Sequence, residues 1–283
     1  MNTEKRAHPL RIAAFDLDGT VLHKGIMRNG VRKALTSLRE SGVTVVIASG
    51  RDLAQIKADV RECFSYIVAA NGAYVTGPGE NELLCSHAMS REAVDSCLRS
   101  ILRYGGGPTV FQCGKMMGAV RTPLCMPGGS LLSYRKTRLG YCESARFIPC
   151  LRLYAKFSPI PVYKVQGFFR SGEKCSAAAE EIRKFGIFEV LEMGDNTLEI
   201  NMIGVTKACA LAELCSILGY STSEMVAFGD SLNDLEMLRA SGFAVAMGNG
   251  SDSVKKIANY IAPHVSIDGA ATAIYDIFGL PEQ

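Results

Sequence analysis

The chain has 283 residues, 48% of them hydrophobic and 21% charged, a size and balance that fit one large globular domain or two ordinary ones and exclude a disordered chain. Its 31 basic against 28 acidic residues leave a net charge of +3, too even a balance for nucleic acid to be the principal partner. The ten cysteines form no C-x-x-C pair and no His/Cys ladder at zinc spacing, so they read as reduced thiols of a cytosolic protein rather than a disulfide framework.

In chain order, Met1 to His8 is polar without a signal-peptide core, and no apolar run approaches the ~20 residues of a membrane span. A soluble, cytoplasmic protein with no membrane partner is expected; nothing in the chain signals an oligomeric state. Three short apolar runs follow, Ile12 to Phe15, Val43 to Ala48 and Tyr66 to Ala70, which read as buried strands. Between the first two, Val31, Ala34, Leu35 and Leu38 form a helical stripe closed by Gly42. Strand, helix and strand make a parallel βαβ unit.

From about Leu83 to Ile200 the grammar changes to Gly-Pro loops with mixed signals. Helices are predicted over Arg91–Tyr104 and Lys174–Phe185, and strands over Val162–Phe169 and Thr197–Met202. The first grammar then returns, with a helix from Thr206 to Leu218 stopped by Gly219, a strand Met225–Phe228, a short helix Asp234–Ala240, a strand Phe243–Met247 and a helix Ala270–Phe278. The predicted fold is α/β: a Rossmann-like parallel-sheet core over 1–82 and 201–283, interrupted by an inserted α+β domain over 83–200.

The chemistry gathers at predicted strand ends. Asp16 and Asp18, in Phe15-Asp16-Leu17-Asp18-Gly19-Thr20, are two apart and would share a strand face. Like charges so placed raise each other's pKa unless a cation separates them; the plainer alternative is an Asp-Gly turn. Ala48-Ser49-Gly50-Arg51 offers a hydroxyl and approachable amides where open parallel sheets collect ligands. Lys207 opens a helix whose dipole it opposes, which makes sense if it is paired with an anion there, though a solvated lysine is also open. Gly229-Asp230-Ser231-Leu232-Asn233-Asp234 adds a second acidic pair, one member of which could be a helix cap. Hard oxygen donors without His or Cys suit Mg²⁺.

These four segments, with Gly204-Val205-Thr206-Lys207 as the third, resemble the ordered motifs of the haloacid dehalogenase-like superfamily. Asn71-Gly72-Ala73 and Ala246-Met247-Gly248-Asn249 resemble its Cof-type branch. The stretch from Asp16 to Ser49 is too short to hold a domain beside a βα crossover, whereas that from Ser49 to Lys207 is ample, so the resemblance implies a large inserted cap. It implies Asp16 as the nucleophile that forms an aspartyl-phosphate and Asp18 as general acid and base. Mg²⁺ would be held by Asp16, the carbonyl of Asp18 and Asp230, and oriented by Asp234. Ser49 and Lys207, with the Leu17 amide, Gly50 and Asn233, would bind phosphate or substrate. The dehalogenases themselves lack the second aspartate, so Asp18 favours phosphate chemistry.

The implied activity is hydrolysis of phosphate monoesters of small metabolites, such as sugar phosphates or cofactor precursors. A phosphomutase of the phosphomannomutase type and a non-catalytic phospho-ligand module are the alternatives. Arg135, Lys136, Arg138, Arg146 and Arg152 make the middle block locally basic, either as a second-anion pocket or as a solvated face. His23, alone after the first motif, reads as structural or solvent-facing.

Overall fold

The computed structural model describes residues 9–77, 82–125 and 145–281. In chain order it begins with β1 (Ile12–Phe15), the hairpin β2 (Leu22–His23) and β3 (Ile26–Met27), α1 (Asn29–Glu40), β4 (Thr44–Ala48), α2 (Ala58–Arg61), β5 (Tyr66–Ala69), β6 (Tyr74–Thr76) and β7 (Leu83–Ser86). The middle block holds α3 (Arg91–Arg103), β8 (Gly107–Phe111), β9 (Met116–Ala119), α4 (Thr122–Cys125), β10 (Arg146–Ile148), α5 (Leu151–Phe157), β11 (Lys164–Phe168), α6 (Gly172–Arg183), β12 (Phe188–Met193) and β13 (Thr197–Met202). The chain closes with α7 (Lys207–Leu218), β14 (Met225–Gly229), α8 (Leu235–Ala240), β15 (Phe243–Ala246), α9 (Asp252–Ile257), β16 (Tyr260–Ile261) and α10 (Gly269–Phe278).

Two compact units result: Met1–Gly50 with Ala58–Cys85 and Thr206–Gln283, and Arg51–Lys57 with Ser86–Val205. The expected insertion, 83–200, shares 86–200 with the second unit, which also takes in Arg51–Lys57. The cause of that addition is local. Asp52 is fully buried, and its Oδ1 accepts from the amides of Ala54 at 2.9 Å and Gly114 at 3.1 Å, which ties the segment to the β8–β9 turn.

The first unit is built on an eight-stranded sheet in the order β16-β15-β14-β1-β4-β5-β6-β7. Strands β16, β15, β14, β1, β4 and β5 run parallel; the apolar runs of β15, β14, β1, β4 and β5 are buried, as such sheets require, while Ile261 of the edge strand β16 is exposed. β6, a strand not expected from the sequence, pairs antiparallel with β5. Only Ala70–Ala73 joins the two strands, too few residues for a crossover, so the chain can only turn back. Ala70, Asn71 and Gly72 make that turn at φ of 51°, 60° and 100°.

Helix α1 follows its predicted stripe and buries Val31, Ala34, Leu35 and Leu38. α7 starts at Thr206, whose hydroxyl accepts from the Cys209 amide at 3.2 Å, and ends at left-handed Gly219.

The second unit carries a six-stranded sheet in the order β10-β9-β8-β11-β13-β12, antiparallel except for β9 with β10. One apolar core joins its helices to its sheet, including Leu98, Ile101, Val165, Ile182, Leu198 and Ile200. Of the basic residues singled out above, Arg135, Lys136 and Arg138 lie outside the described residues. Arg146 is exposed in β10. Arg152 donates to Asp95 at 2.7 Å, and Asp95 also pairs with Arg99. Its charge is therefore already matched at the surface. No disulfide joins the described cysteines, and among the described residues no helix is long and apolar enough to cross a membrane.

Candidate active site

β1 lies between β14 and β4, with Phe15 in register with Phe228 and Ile47. The Phe15 and Phe228 rings stack at 4.3 Å, which locks the two strand ends together. The Asp16 amide continues the ladder one step and donates to the Phe228 carbonyl at 2.9 Å. Asp16 thus emerges beside Gly229 and Asp230, at the carboxyl end of the parallel strands where such sheets collect ligands.

Lys207 reaches the same point from the first turn of α7. Its Nζ lies 2.6 Å from Asp16 Oδ1 and 2.7 Å from Asp234 Oδ1, with Lys207 2% exposed, Asp16 5% and Asp234 fully buried. Burial pushes the Lys207 ammonium down, but the charges of Asp16 and Asp234 outweigh it and hold the group above its ordinary value. The lysine that opposes the helix dipole is paid for by two carboxylates. Its placement rests on Gly72, where φ is +100° and a Cβ would lie 2.2 Å from the Thr206 carbonyl oxygen. Gly72→Ala is expected to lower stability by about 1–3 kcal/mol, the usual cost of such backbone strain. Urea unfolding followed by circular dichroism measures it, and an unchanged midpoint would refute the packing argument.

Asp234 is saturated. Its Oδ2 accepts from the amides of Asp230 and Ser231, both at 3.0 Å, and its Oδ1 accepts from Lys207. Asp230 is the opposite case: among the described residues its buried Oδ1 has no hydrogen-bond partner. Carboxylate oxygens of Asp16, Asp230 and Asp234 lie within 4.8 Å of one another. Three carboxylates against one ammonium leave negative charge uncompensated in a buried place, which is costly. An all-oxygen donor set with one orphaned oxygen fits a hard divalent cation such as Mg²⁺.

The acids respond to this crowding. Burial raises the Asp16 carboxyl, Lys207 opposes the rise, and Asp234 and Asp230 add to it. Burial, then the charge of Asp234, push Asp230 up to about 6 from 3.8. A raised folded value means that this group favours the metal-free fold only while protonated. Its contribution is fully present below 3.8 and is lost as pH rises through about 6. Metal-free Asp230→Asn should therefore gain on the parent in urea midpoint between pH 4 and pH 7; parallel profiles would contradict this.

Asp18 is not where the strand rule puts it. β1 ends at Phe15, and the Leu17 carbonyl accepts from the amides of Thr20, Val21 and Leu22 in a tight turn. Asp18 is consequently exposed while Asp16 is buried. The acids clustered with Asp16 are Asp230 and Asp234, although the charge of Asp18 still raises Asp230. Gly19 follows at φ +89°, and a Cβ there would lie 2.3 Å from Asp230 Oδ2, so this turn lies directly against the Asp230 carboxylate.

Ser49 is buried at the end of β4, its amide donating to Val68 O at 2.9 Å and its carbonyl accepting from the Asn71 amide at 3.0 Å. A Cβ on Gly50 would meet Asn71 Oδ1 at 2.7 Å. Leu17 is buried within the first turn. Asn233 is exposed, its Oδ1 accepting from the Ser231 hydroxyl at 2.6 Å. Two residues were not among the expected site residues. Asn71 packs on Gly50, and Asn249 hydrogen-bonds the Gly19 carbonyl and Asp230. Both stand in the Asn-Gly and Gly-Asn pairs noted in the sequence, where turn chemistry masks any other role.

Known proteins resemble this chain in sequence and fold. A family model described as haloacid dehalogenase-like hydrolase matches residues 13–274. The 5-amino-6-(5-phospho-D-ribitylamino)uracil phosphatase YcsE of Bacillus subtilis is 26% identical over 278 residues, spanning 97% of this chain and 98% of that protein. The HMP-PP phosphatase of Klebsiella pneumoniae is 26% identical over 274 residues, with 92% and 90% covered. A crystal structure of a haloacid dehalogenase-like hydrolase from Bacteroides thetaiotaomicron superimposes with a TM-score of 0.81 at 26% identity, over 95% of this chain and 99% of that one. The chain belongs to the haloacid dehalogenase-like hydrolase family, in its Cof-type branch.

Proposed function

We propose that the protein is a Mg²⁺-dependent phosphatase that hydrolyses phosphate monoesters of small metabolites through an aspartyl-phosphate on Asp16. The observation that carries this reading is the buried Lys207, held between Asp16 and Asp234 beside the orphaned Asp230 Oδ1. Phosphate monoesters hydrolyse extremely slowly unaided, and an anionic nucleophile approaches an anionic phosphoryl group only where its oxygens are neutralised. In this reading, an Asp16 oxygen attacks phosphorus, the bond to the alcohol oxygen breaks, and Asp18 gives that oxygen a proton. Asp18 then takes a proton from water, which attacks the phosphoryl group and frees Asp16 and inorganic phosphate.

Lys207, Ser49, the Leu17 amide and Gly50 bind the phosphoryl oxygens, and Asn233 touches phosphate or substrate. Asp16, the Asp18 carbonyl and Asp230 would hold Mg²⁺, with Asp234 fixing the Asp230 loop. When bound, the cation neutralises phosphoryl charge. The exposure of Asp18 suits a group that must exchange protons with solvent.

The inserted unit is assigned to selecting the alcohol. The named relatives point to cofactor precursors as the first substrates to try. The test is phosphate release from a panel of phosphorylated metabolites with Mg²⁺. We expect release from at least one monoester without a bisphosphate activator, lost in EDTA and restored by excess Mg²⁺. Turnover that depends on a bisphosphate would indicate a mutase, and turnover indifferent to EDTA would refute the metal assignment.

A further inference from the structure

We propose that Asn249 is a positioning residue that clamps the turn after Asp18 to Asp230 and so sets the geometry of the cation site; this rests on the Mg²⁺ reading above. Asn249 Oδ1 accepts from the Val265 amide at 2.9 Å. That bond settles which way the side-chain amide faces, since an N–H can only be met by the oxygen. The Nδ2 is thereby turned to the other side, where it donates to the Gly19 carbonyl at 2.8 Å and, at a longer 3.4 Å, to Asp230 Oδ2. One side chain therefore joins three segments: the turn that follows Asp18, the Asp230 loop and the start of the Val265–Ile267 turn.

The backbone around it leaves Asn249 little freedom. A Cβ on Gly248 would lie 2.9 Å from the His264 amide, and one on Gly250 would lie 3.1 Å from the Asp230 carbonyl. The Ser251 amide donates to that same Asp230 carbonyl at 2.9 Å. The 248–251 segment is thus wedged between the Pro263–His264 backbone and Asp230. With Oδ2 held by Asn249, the carboxylate of Asp230 is left with its buried, unpartnered Oδ1 for a ligand. The Asp18–Gly19 turn, which carries the second proposed oxygen donor, is held by the same amide group. Partners that orient metal-binding groups in this way typically contribute about 10–100-fold to metal affinity.

The experiment titrates Mg²⁺ alone against the thermal unfolding midpoint of the full chain, for the parent, Asn249→Ala and Val265→Pro. The proline variant removes the amide that orients Asn249 while leaving the Asn249 side chain in place, and it also replaces the buried Val265 side chain. His264 already has the extended backbone that precedes a proline, and Val265 opens a short helical turn where proline is tolerated. The Mg²⁺ concentration giving half the thermal shift should rise about tenfold or more in Asn249→Ala and by a smaller factor in Val265→Pro. At saturating Mg²⁺, phosphatase KM should stay near that of the parent. If Asn249→Ala does not fold, Val265→Pro decides alone. A parent that responds to Mg²⁺ beside folded variants that respond at the parent concentration overturns this inference and leaves the Mg²⁺ reading standing. A parent with no response overturns both.

Discussion

Asp16→Asn should abolish phosphate release, by at least about 10⁴-fold, while leaving the fold intact. Asparagine keeps the shape of the side chain and an oxygen for Lys207, whose bond to Asp16 Oδ1 is 2.6 Å. It loses the charge on which the proposed attack depends. Burial and the neighbouring carboxylates already disfavour charge at Asp16, so removing it relieves crowding and Lys207 retains Asp234. The metal-free unfolding midpoint should therefore stay within a few degrees of the parent, or rise. The paired measurement matters, because loss of activity together with loss of fold would say nothing about attack on phosphorus. Residual turnover within tenfold of the parent would assign the nucleophile elsewhere.

Lys207→Met should be damaging in both respects. It removes the cation that touches both Asp16 and Asp234 and leaves those carboxylates buried without it. Breaking a buried ion pair by removing one partner costs about 3–5 kcal/mol. At neutral pH the metal-free variant should unfold at markedly lower urea. Mg²⁺ should recover part of that loss, because it supplies the missing positive charge to the same acids. Activity should stay low even with the fold restored, since the phosphoryl oxygens lose a cation of their own. A Lys207→Met protein with parental stability would show that the triangle of Lys207, Asp16 and Asp234 is incidental to folding.

Much of the core was readable because each signal was short-range. Ile12 to Phe15 could be assigned to a buried strand from four consecutive apolar residues, and α7 was bounded by the Gly219 that stops it. The lysine at the wrong end of a helix dipole asked for an anion, and the structure supplies Asp16 and Asp234. The features that escaped are those set by turns or by distant partners. β6 reverses because its connection to β5 is too short for a crossover, which local strand propensity does not register. Asp18 leaves the company of Asp16 because the strand stops one residue before the motif's first acid. Asn249 contacts Gly19, 230 residues away in sequence, and no periodicity carries that information. In the second unit α3 and α6 were legible but α4 and α5 were not, and its polar contacts, such as Lys164 with Glu199 at 2.9 Å across β11 and β13, depend on strand pairing that only tertiary structure sets.

If the Asp16 carboxylate attacks phosphorus, the enzyme carries a covalent phosphoryl group during turnover. Rapid acid quench of the enzyme during turnover with Mg²⁺ and its best monoester, followed by peptide mass spectrometry, tests this most directly. One added phosphoryl group is expected on the peptide containing Asp16, labile to hydroxylamine as an acyl phosphate is, and absent from Asp16→Asn. A phosphoryl group on any other residue, or steady turnover by Asp16→Asn, would contradict attack by Asp16.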